Sequence, residues 1–404
     1  MTQDSASPAP TPPPAPAVPP AAPDTVPPAA HGTDPASAAA PPSRRSALLR
    51  AGLIGGVLLV VFGVILPQYI DYADVIAAFQ GLTPGQILVI TAMGAIAWIV
   101  GGLVFSALIP GLASVRGTMS WLILAGIGAS VPFGPWNMGV LWVVVRGWGI
   151  GNAAATSGVA LYGIVNELSR LFLPLLSVAV LAAAGDLAQA KNAGAAWTIA
   201  IVSSIAFVVV TAVIIGVVRS ERIADWLGRT GQRITDWAFR RIGREPSANV
   251  AGSIHRFRDQ LGLVIHRRGL AALTLAIVAQ LAWSAVLVVA LRFCGVPDSA
   301  LSLAQIFGVY GLVMVITIIP LSPGGAGVPE LLFISAFSAI AGPEYQVAIT
   351  AGVFLYRIYF WFLPVPLAWL LLKAARRGRP MLPTTAELSD YARGDSAQVA
   401  TVAA

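Results

Sequence analysis

Ile319-Pro320-Leu321-Ser322-Pro323-Gly324-Gly325-Ala326-Gly327-Val328-Pro329-Glu330 interrupts an otherwise unbroken apolar stretch. Two prolines in four residues remove backbone donors and crowd the preceding turn, so a helix entering this segment must break. Gly324, Gly325 and Gly327 leave the backbone bare. Pro329 suits the first position of a new helix. A second break lies upstream at Val131-Pro132-Phe133-Gly134-Pro135-Trp136-Asn137. Pro132, Pro135, Gly139 and Val140 align there with Pro320, Pro323, Gly327 and Val328. A second block follows each break. Ala154, Thr156, Gly158, Val159, Leu161, Tyr162 and Ile164 repeat as Ala348, Thr350, Gly352, Val353, Leu355, Tyr356 and Ile358. Matches of Ala, Val and Leu are cheap in apolar sequence, but shared Pro, Gly, Thr and Tyr positions are not. The chain reads as a duplicated module.

The surroundings of the breaks say what kind of module it is. The chain has 404 residues, 57% hydrophobic and 11% charged, against roughly 25% charged in a soluble domain. Charge-free runs cover 51–70, 75–115, 117–145, 192–218, 269–291 and 299–329. Runs of ~20 apolar residues match a hydrocarbon core of ~30 Å, and a soluble core explains one such run but not six. Full spans are expected at 47–66, 86–110, 152–182, 194–218, 270–293 and 345–373, with the broken segments 118–147 and 302–341 between them. The net charge is +7, mostly from arginines that flank the apolar runs. This is the positive-inside pattern of membrane chains rather than a nucleic-acid-binding surface. Cys294 is the lone cysteine, so no intrachain disulfide forms. The three histidines are far apart and give no metal-site spacing.

Residues 1–45 form a Pro/Ala-rich tail expected to be disordered and cytoplasmic, since so few large apolar residues cannot offset the entropy of ordering. The membrane domain runs 46–375, and 376–404 is a second flexible cytoplasmic tail. Within the domain, 219–268 carries 11 arginines against five acidic residues. Ile223, Trp226, Leu227, Ile234 and Trp237 share one helical face with arginines opposite, which reads as an amphipathic connector at the cytoplasmic headgroup level. An ordinary solvated connector is the plainer alternative. With that loop inside, 118–147 must enter and leave on the cytoplasmic side, and 302–341 on the outer side. The expected fold is therefore all-α: a polytopic helix bundle of two inverted repeats, each holding a re-entrant broken-helix hairpin.

Few ionisable residues lie at membrane depth. Glu167 and Arg170 stand three apart near the centre of one span, Arg357 near the centre of its counterpart, and Glu330 just after the second break. A mid-bilayer charge costs several kcal/mol unless paired or hydrated, so these side chains face the protein interior or a wet cavity. Two readings stay open. Glu167–Arg170 and Glu330–Arg357 are neutralising pairs, or the arginines receive an anion. The hairpin tips add Gly324, Gly325 and Gly327, where free N–H groups and the helix dipole favour an anion, with Asn137 as a possible N-cap in the first copy. The alternative is that Glu330 itself satisfies that helix start. No nucleophile–base constellation or nucleotide-phosphate loop is present, so the chain is read as no enzyme and as needing no cofactor.

The Pro320–Glu330 segment, followed by Leu355-Tyr356-Arg357, resembles the signature of the lysylphosphatidylglycerol synthase transmembrane-region family, over roughly 45–375. The resemblance implies a lipid-translocating, flippase-like domain of the bacterial cytoplasmic membrane, with membrane lipids as partners and an anionic headgroup as ligand. The fullest family members add a soluble aminoacyltransferase domain. That domain is expected to be absent here, so lipid aminoacylation is not expected. Phospholipid and polyprenyl-linked substrates both stay open. The alternatives are a secondary transporter of a small anion and a non-transporting membrane scaffold.

Overall fold

A computed structural model describes residues 72–130, 136–185, 193–241, 268–318 and 327–377. The expected first span at 47–66, the tail 1–45, most of the tail 376–404 and the two Pro/Gly tips lie outside the described residues. All regular structure among the described residues is helical.

The elements are α1 (Tyr72–Gln80), α2 (Pro84–Leu108), α3 (Ser114–Ser130), α4 (Trp136–Gly147), α5 (Asn152–Ala183), α6 (Ala193–Arg219), α7 (Glu221–Arg241), α8 (Leu270–Phe293), α9 (Leu303–Ile316) and α10 (Val328–Ala341), followed by a short 3₁₀ turn (Pro343–Tyr345), α11 (Gln346–Arg357), a π turn (Ile358–Phe362) and α12 (Pro364–Ala375). Two starts are fixed by the same device. Thr83 with Gln86, and Ser302 with Gln305, form reciprocal capping boxes at α2 and α9. Each satisfies two otherwise orphaned backbone donors.

Among the described residues, four helices are long and apolar enough to cross a membrane: Pro84–Leu108, Asn152–Ala183, Leu270–Phe293 and Pro343–Ala375. They coincide with four of the expected spans. At 1.5 Å per residue, the 25, 32, 24 and 33 residues reach about 37, 48, 36 and 50 Å. The 27-residue α6 falls on the expected fifth span and turns Ile201, Val202, Ile205, Val208 and Val209 outward. Helices α3, α4, α9 and α10 are different. With 17, 12, 14 and 14 residues, each falls short of the ~20 needed to span. The start of α3 and the end of α4 are held together: Arg116 Nη1 donates to the Trp148 carbonyl at 3.3 Å, and its guanidinium lies 5.7 Å from the Trp148 ring.

The packing crosses between the two halves. Helices α2 and α8, the first spans of the two copies, pack along each other. The first arm of each broken segment then packs on the last span of the other copy, α3 on α12 and α9 on α5. Trp369 Nε1 donates to Ser130 Oγ at 3.3 Å across the first contact. Ser177 Oγ donates to the Phe307 carbonyl at 3.2 Å across the second. Gly126 permits the first approach, because a Cβ there would collide with the Pro364 backbone and the Ala368 side chain. Such small residues let helix backbones close up, so that packing and interhelical hydrogen bonds act at short range.

The last span is not a regular helix, and its sequence says why. Pro364 has no N–H for the Phe360 carbonyl, and its ring crowds that carbonyl. The ladder widens instead, with Leu363 N–H donating to the Ile358 carbonyl five residues back at 2.8 Å. The resulting π turn, Ile358–Phe362, swings Phe360 and Trp361 out of register with α11.

Candidate functional site

A cavity of about 300 Å³ lies among α2, α3, α4, α5, α8 and the π turn. Its height follows from the helix bounds. The midpoint of α5 falls at Glu167–Leu168, that of α8 at Leu281–Ala282, and that of Pro343–Ala375 at Tyr359. Glu167, Gln280 and Phe360, all within two residues of those midpoints, line the cavity. The end of α3 (Gly128, Ala129) and the start of α4 (Asn137, Met138) reach the same cavity.

Trp121, Tyr162, Trp283, Phe360 and Trp361 form the aromatic wall. Trp121 and Trp283 stack with centroids 5.6 Å apart, and Phe360 stands edge-on to Trp283 at 4.9 Å. Asn137, Asn166, Glu167, Arg170 and Gln280 are the polar lining. Asn166 and Glu167 align with Phe360 and Trp361 in the sequence repeat, so equivalent positions of the two copies face one space.

The Glu167–Arg170 pair is loose. Arg170 Nη1 stands 3.7 Å from Glu167 Oε1, with side chains 21% and 43% exposed respectively. Asn166 Nδ2 donates to the same Oε1 at 3.2 Å. Glu167 Oε2 and Arg170 Nε are shielded from solvent and have no hydrogen-bond partner. A buried polar group left unmade costs ~1–3 kcal/mol, more when charged, so this pair is built with unused capacity. Gln280 is better satisfied. It accepts from the buried Tyr310 hydroxyl of α9 at 2.9 Å and approaches Ser169 Oγ of α5 at 3.5 Å, joining three helices at mid-span.

The second charge pair is closed. Arg357 Nε donates to Glu330 Oε1 at 2.6 Å, and the side chains are 3% and 1% exposed. Glu330 Oε2 accepts the Gly327 N–H at 2.8 Å. Gly327, at φ +92°, has the backbone conformation that only glycine takes freely. At this helix start at least one N–H is thus occupied by the chain's own carboxylate, as the alternative reading had it. The Arg357 guanidinium lies 5.7 Å from the ring centroids of both Phe360 and Trp361, a cation–π distance. Arg357 and Glu330 do not line the cavity; they stand behind its aromatic wall.

The eight candidate residues therefore separate into groups. Asn137, Glu167 and Arg170 meet at the cavity, and Gly327, Glu330 and Arg357 form a buried lock. Gly324 and Gly325 lie outside the described residues. Asn137 is not an N-cap: α4 begins at Trp136, and Asn137 Oδ1 accepts from the adjacent Met138 N–H at 2.9 Å. Sequence reading missed Asn166, Gln280 and the aromatic wall. Gln280 had a usable signal, as a lone amide amid the charge-free run 269–291.

The family model of the lysylphosphatidylglycerol synthase TM region matches residues 51–365, both pairs included. The chain belongs to this family. Curated proteins returned no match. Within this lysylphosphatidylglycerol synthase TM region, the cavity and the lock are two polar features near mid-span among the described residues.

Proposed function

We propose that this family member translocates a lipid with an anionic headgroup between the leaflets of the bacterial cytoplasmic membrane, without catalysing a reaction. The observation that carries the reading is Arg170, with an unpartnered and shielded Nε, in an aromatic-walled cavity at mid-span height. A phosphodiester there accepts from Nε and Nη2 as a fork, the geometry that distinguishes arginine from lysine. Asn137, Asn166 and Gln280 offer further polar contacts. Glu167 balances Arg170 when the cavity is empty, so the empty state carries no net buried charge from the pair. The lock Glu330–Arg357 acts one layer out and holds Phe360 and Trp361 in place.

The re-entrant reading of 118–147 draws support from three features: arms too short to span, outer ends joined by Arg116 and Trp148, and inner arm ends (Gly128, Ala129, Asn137, Met138) that line the cavity. In the proposed topology both termini and 219–268 are cytoplasmic, and the two repeats are inverted. The crosswise packing of α3 on α12 and α9 on α5 is what a pseudo-two-fold relation asks for.

The test is reconstitution of the full chain in vesicles carrying headgroup-labelled phosphatidylglycerol in both leaflets, with an impermeant reductant outside. Loss of more than half the label, abolished by Arg170→Ala and reduced by Arg170→Lys, supports lipid translocation. Phosphate uptake without lipid movement would assign the cavity to a small-anion transporter.

A further inference from the structure

Helix α6 ends its apolar run at Arg219, and α7 begins two residues later at Glu221. The chain bends between them. Ile223 Cδ1 lies 3.0 Å from where a Cβ on Gly216 would stand. In a straight helix, residues seven apart are separated by about 10.5 Å along the axis. Helix α7 thus leaves the direction of α6 at the end of the apolar run of α6.

The faces of α7 are sorted. At about 100° per residue, Ile223, Trp226, Leu227 and Thr230 fall within an arc of about 100°. Trp226 is 60% exposed and Ile223 40% exposed. Arg222, Arg229 and Arg233, all exposed, fall in a stripe of about 40° along one edge of that arc. Asp225 and Asp236 lie beyond the arginines, farther from the apolar arc. Ala224 and Gly228 are buried on the opposite side. The apolar arc is therefore open, cation-edged, and set at the end of a span.

We propose that α7 binds the anionic surface of the leaflet at which α6 ends. Ile223, Trp226 and Leu227 enter the headgroup–acyl boundary, and the Arg222/Arg229/Arg233 stripe pairs with anionic headgroups. Tryptophan prefers that boundary because one end of its ring system is polar and the rest apolar. Charge complementarity selects an anionic lipid surface over a protein partner, since the stripe is cationic and the acidic residues point away from the arc. The proposal does not depend on what the cavity carries.

The test uses the full chain with Cys294→Ser and Thr230→Cys, labelled at position 230 with a polarity-sensitive fluorophore. It is reconstituted in phosphatidylcholine vesicles with and without phosphatidylglycerol. The expected result is quenching by nitroxide-bearing lipids and protection from aqueous iodide in the phosphatidylglycerol vesicles, weakened by high salt. Each basic residue near an anionic surface is worth about 1 kcal/mol. The triple variant Arg222→Gln, Arg229→Gln, Arg233→Gln should therefore lower the equilibrium constant for membrane binding of α7 on the order of 100-fold. Its thermal unfolding, compared with the parent, separates loss of binding from loss of fold. A label equally protected in pure phosphatidylcholine would overturn the proposal. So would iodide access in both vesicle types, or a folded triple variant with unchanged quenching.

Discussion

Glu330→Gln removes one charge from the lock while keeping an acceptor for the Gly327 N–H. Arg357 then remains ionised at 3% exposure, without the carboxylate that Nε meets at 2.6 Å. Breaking a buried pair from one side costs ~3–5 kcal/mol, or roughly a thousandfold in the folding equilibrium. Arg357→Met strands the carboxylate instead and also removes the cation from the Phe360 and Trp361 rings, at ~0.5–2 kcal/mol more. The double variant removes both charges, and exchange of a buried pair for neutral groups of similar volume is close to neutral. Its loss should be far below the sum of the singles, with a coupling energy of roughly 6–10 kcal/mol on these figures. The assay is denaturant unfolding in one detergent for all four proteins, with lipid translocation measured on the same preparations. Losses that add to within ~0.5 kcal/mol would refute the lock. A stable double variant that no longer moves lipid would transfer Arg357 from holding the wall to contacting the headgroup.

Gly126→Ala places a methyl against Pro364 and Ala368 and should destabilise by ~1–3 kcal/mol, read as a lowered unfolding midpoint. Trp361→Ala removes part of the cavity wall and the ring beneath Arg357; translocation should fall more than stability, as measured on matched vesicles and unfolding curves. Cysteines at Val115 and Gly147, in a Cys294→Ser background, should react with an impermeant maleimide from the same face; reaction from opposite faces would remove the re-entrant hairpin. In the parent chain, burial pushes the Cys294 thiol up to about 12. The thiolate is therefore scarce at pH 8, and alkylation of the native protein should be slow and rise roughly tenfold per pH unit towards that value.

The long spans were legible because length and apolarity alone define them, and 86–110, 152–182, 270–293 and 345–373 fall on the four long apolar helices. The sequence repeat rests on positions where chemistry limits choice. Gly158 and Gly352, aligned in sequence, do the same work: a Cβ at the first would strike Ile109 and at the second Leu291, each near the end of its own copy's first span. Glu330 and Arg357 stood out because charge is rare in such runs; their pairing across 27 residues, one of the two readings the sequence left open, is seen in the structure. The cavity wall was not legible. Trp121, Trp283 and Trp361 look like any aromatic in an apolar helix, and only the crossing of α3, α8 and the π turn brings them together. Nor does the sequence distinguish Arg170 from Arg357 by role. Both are lone arginines at mid-span, and the difference rests on whether a carboxylate lies within bonding distance.

The seating of α3 on α12 has a consequence for biosynthesis. Gly126 receives its partner Ala368 only after 242 further residues (368 minus 126) have been made. At ~5–20 residues per second, the ribosome needs about 12–48 s for that stretch. Throughout this interval the face of α3 that carries Ile123, Gly126 and Ile127 lacks its partner helix. The insertion machinery, a chaperone or lipid must shelter that face until the carboxyl-terminal helix arrives. A ribosome stalled before residue 364 would therefore release a chain whose first half is fully synthesised and still unfinished.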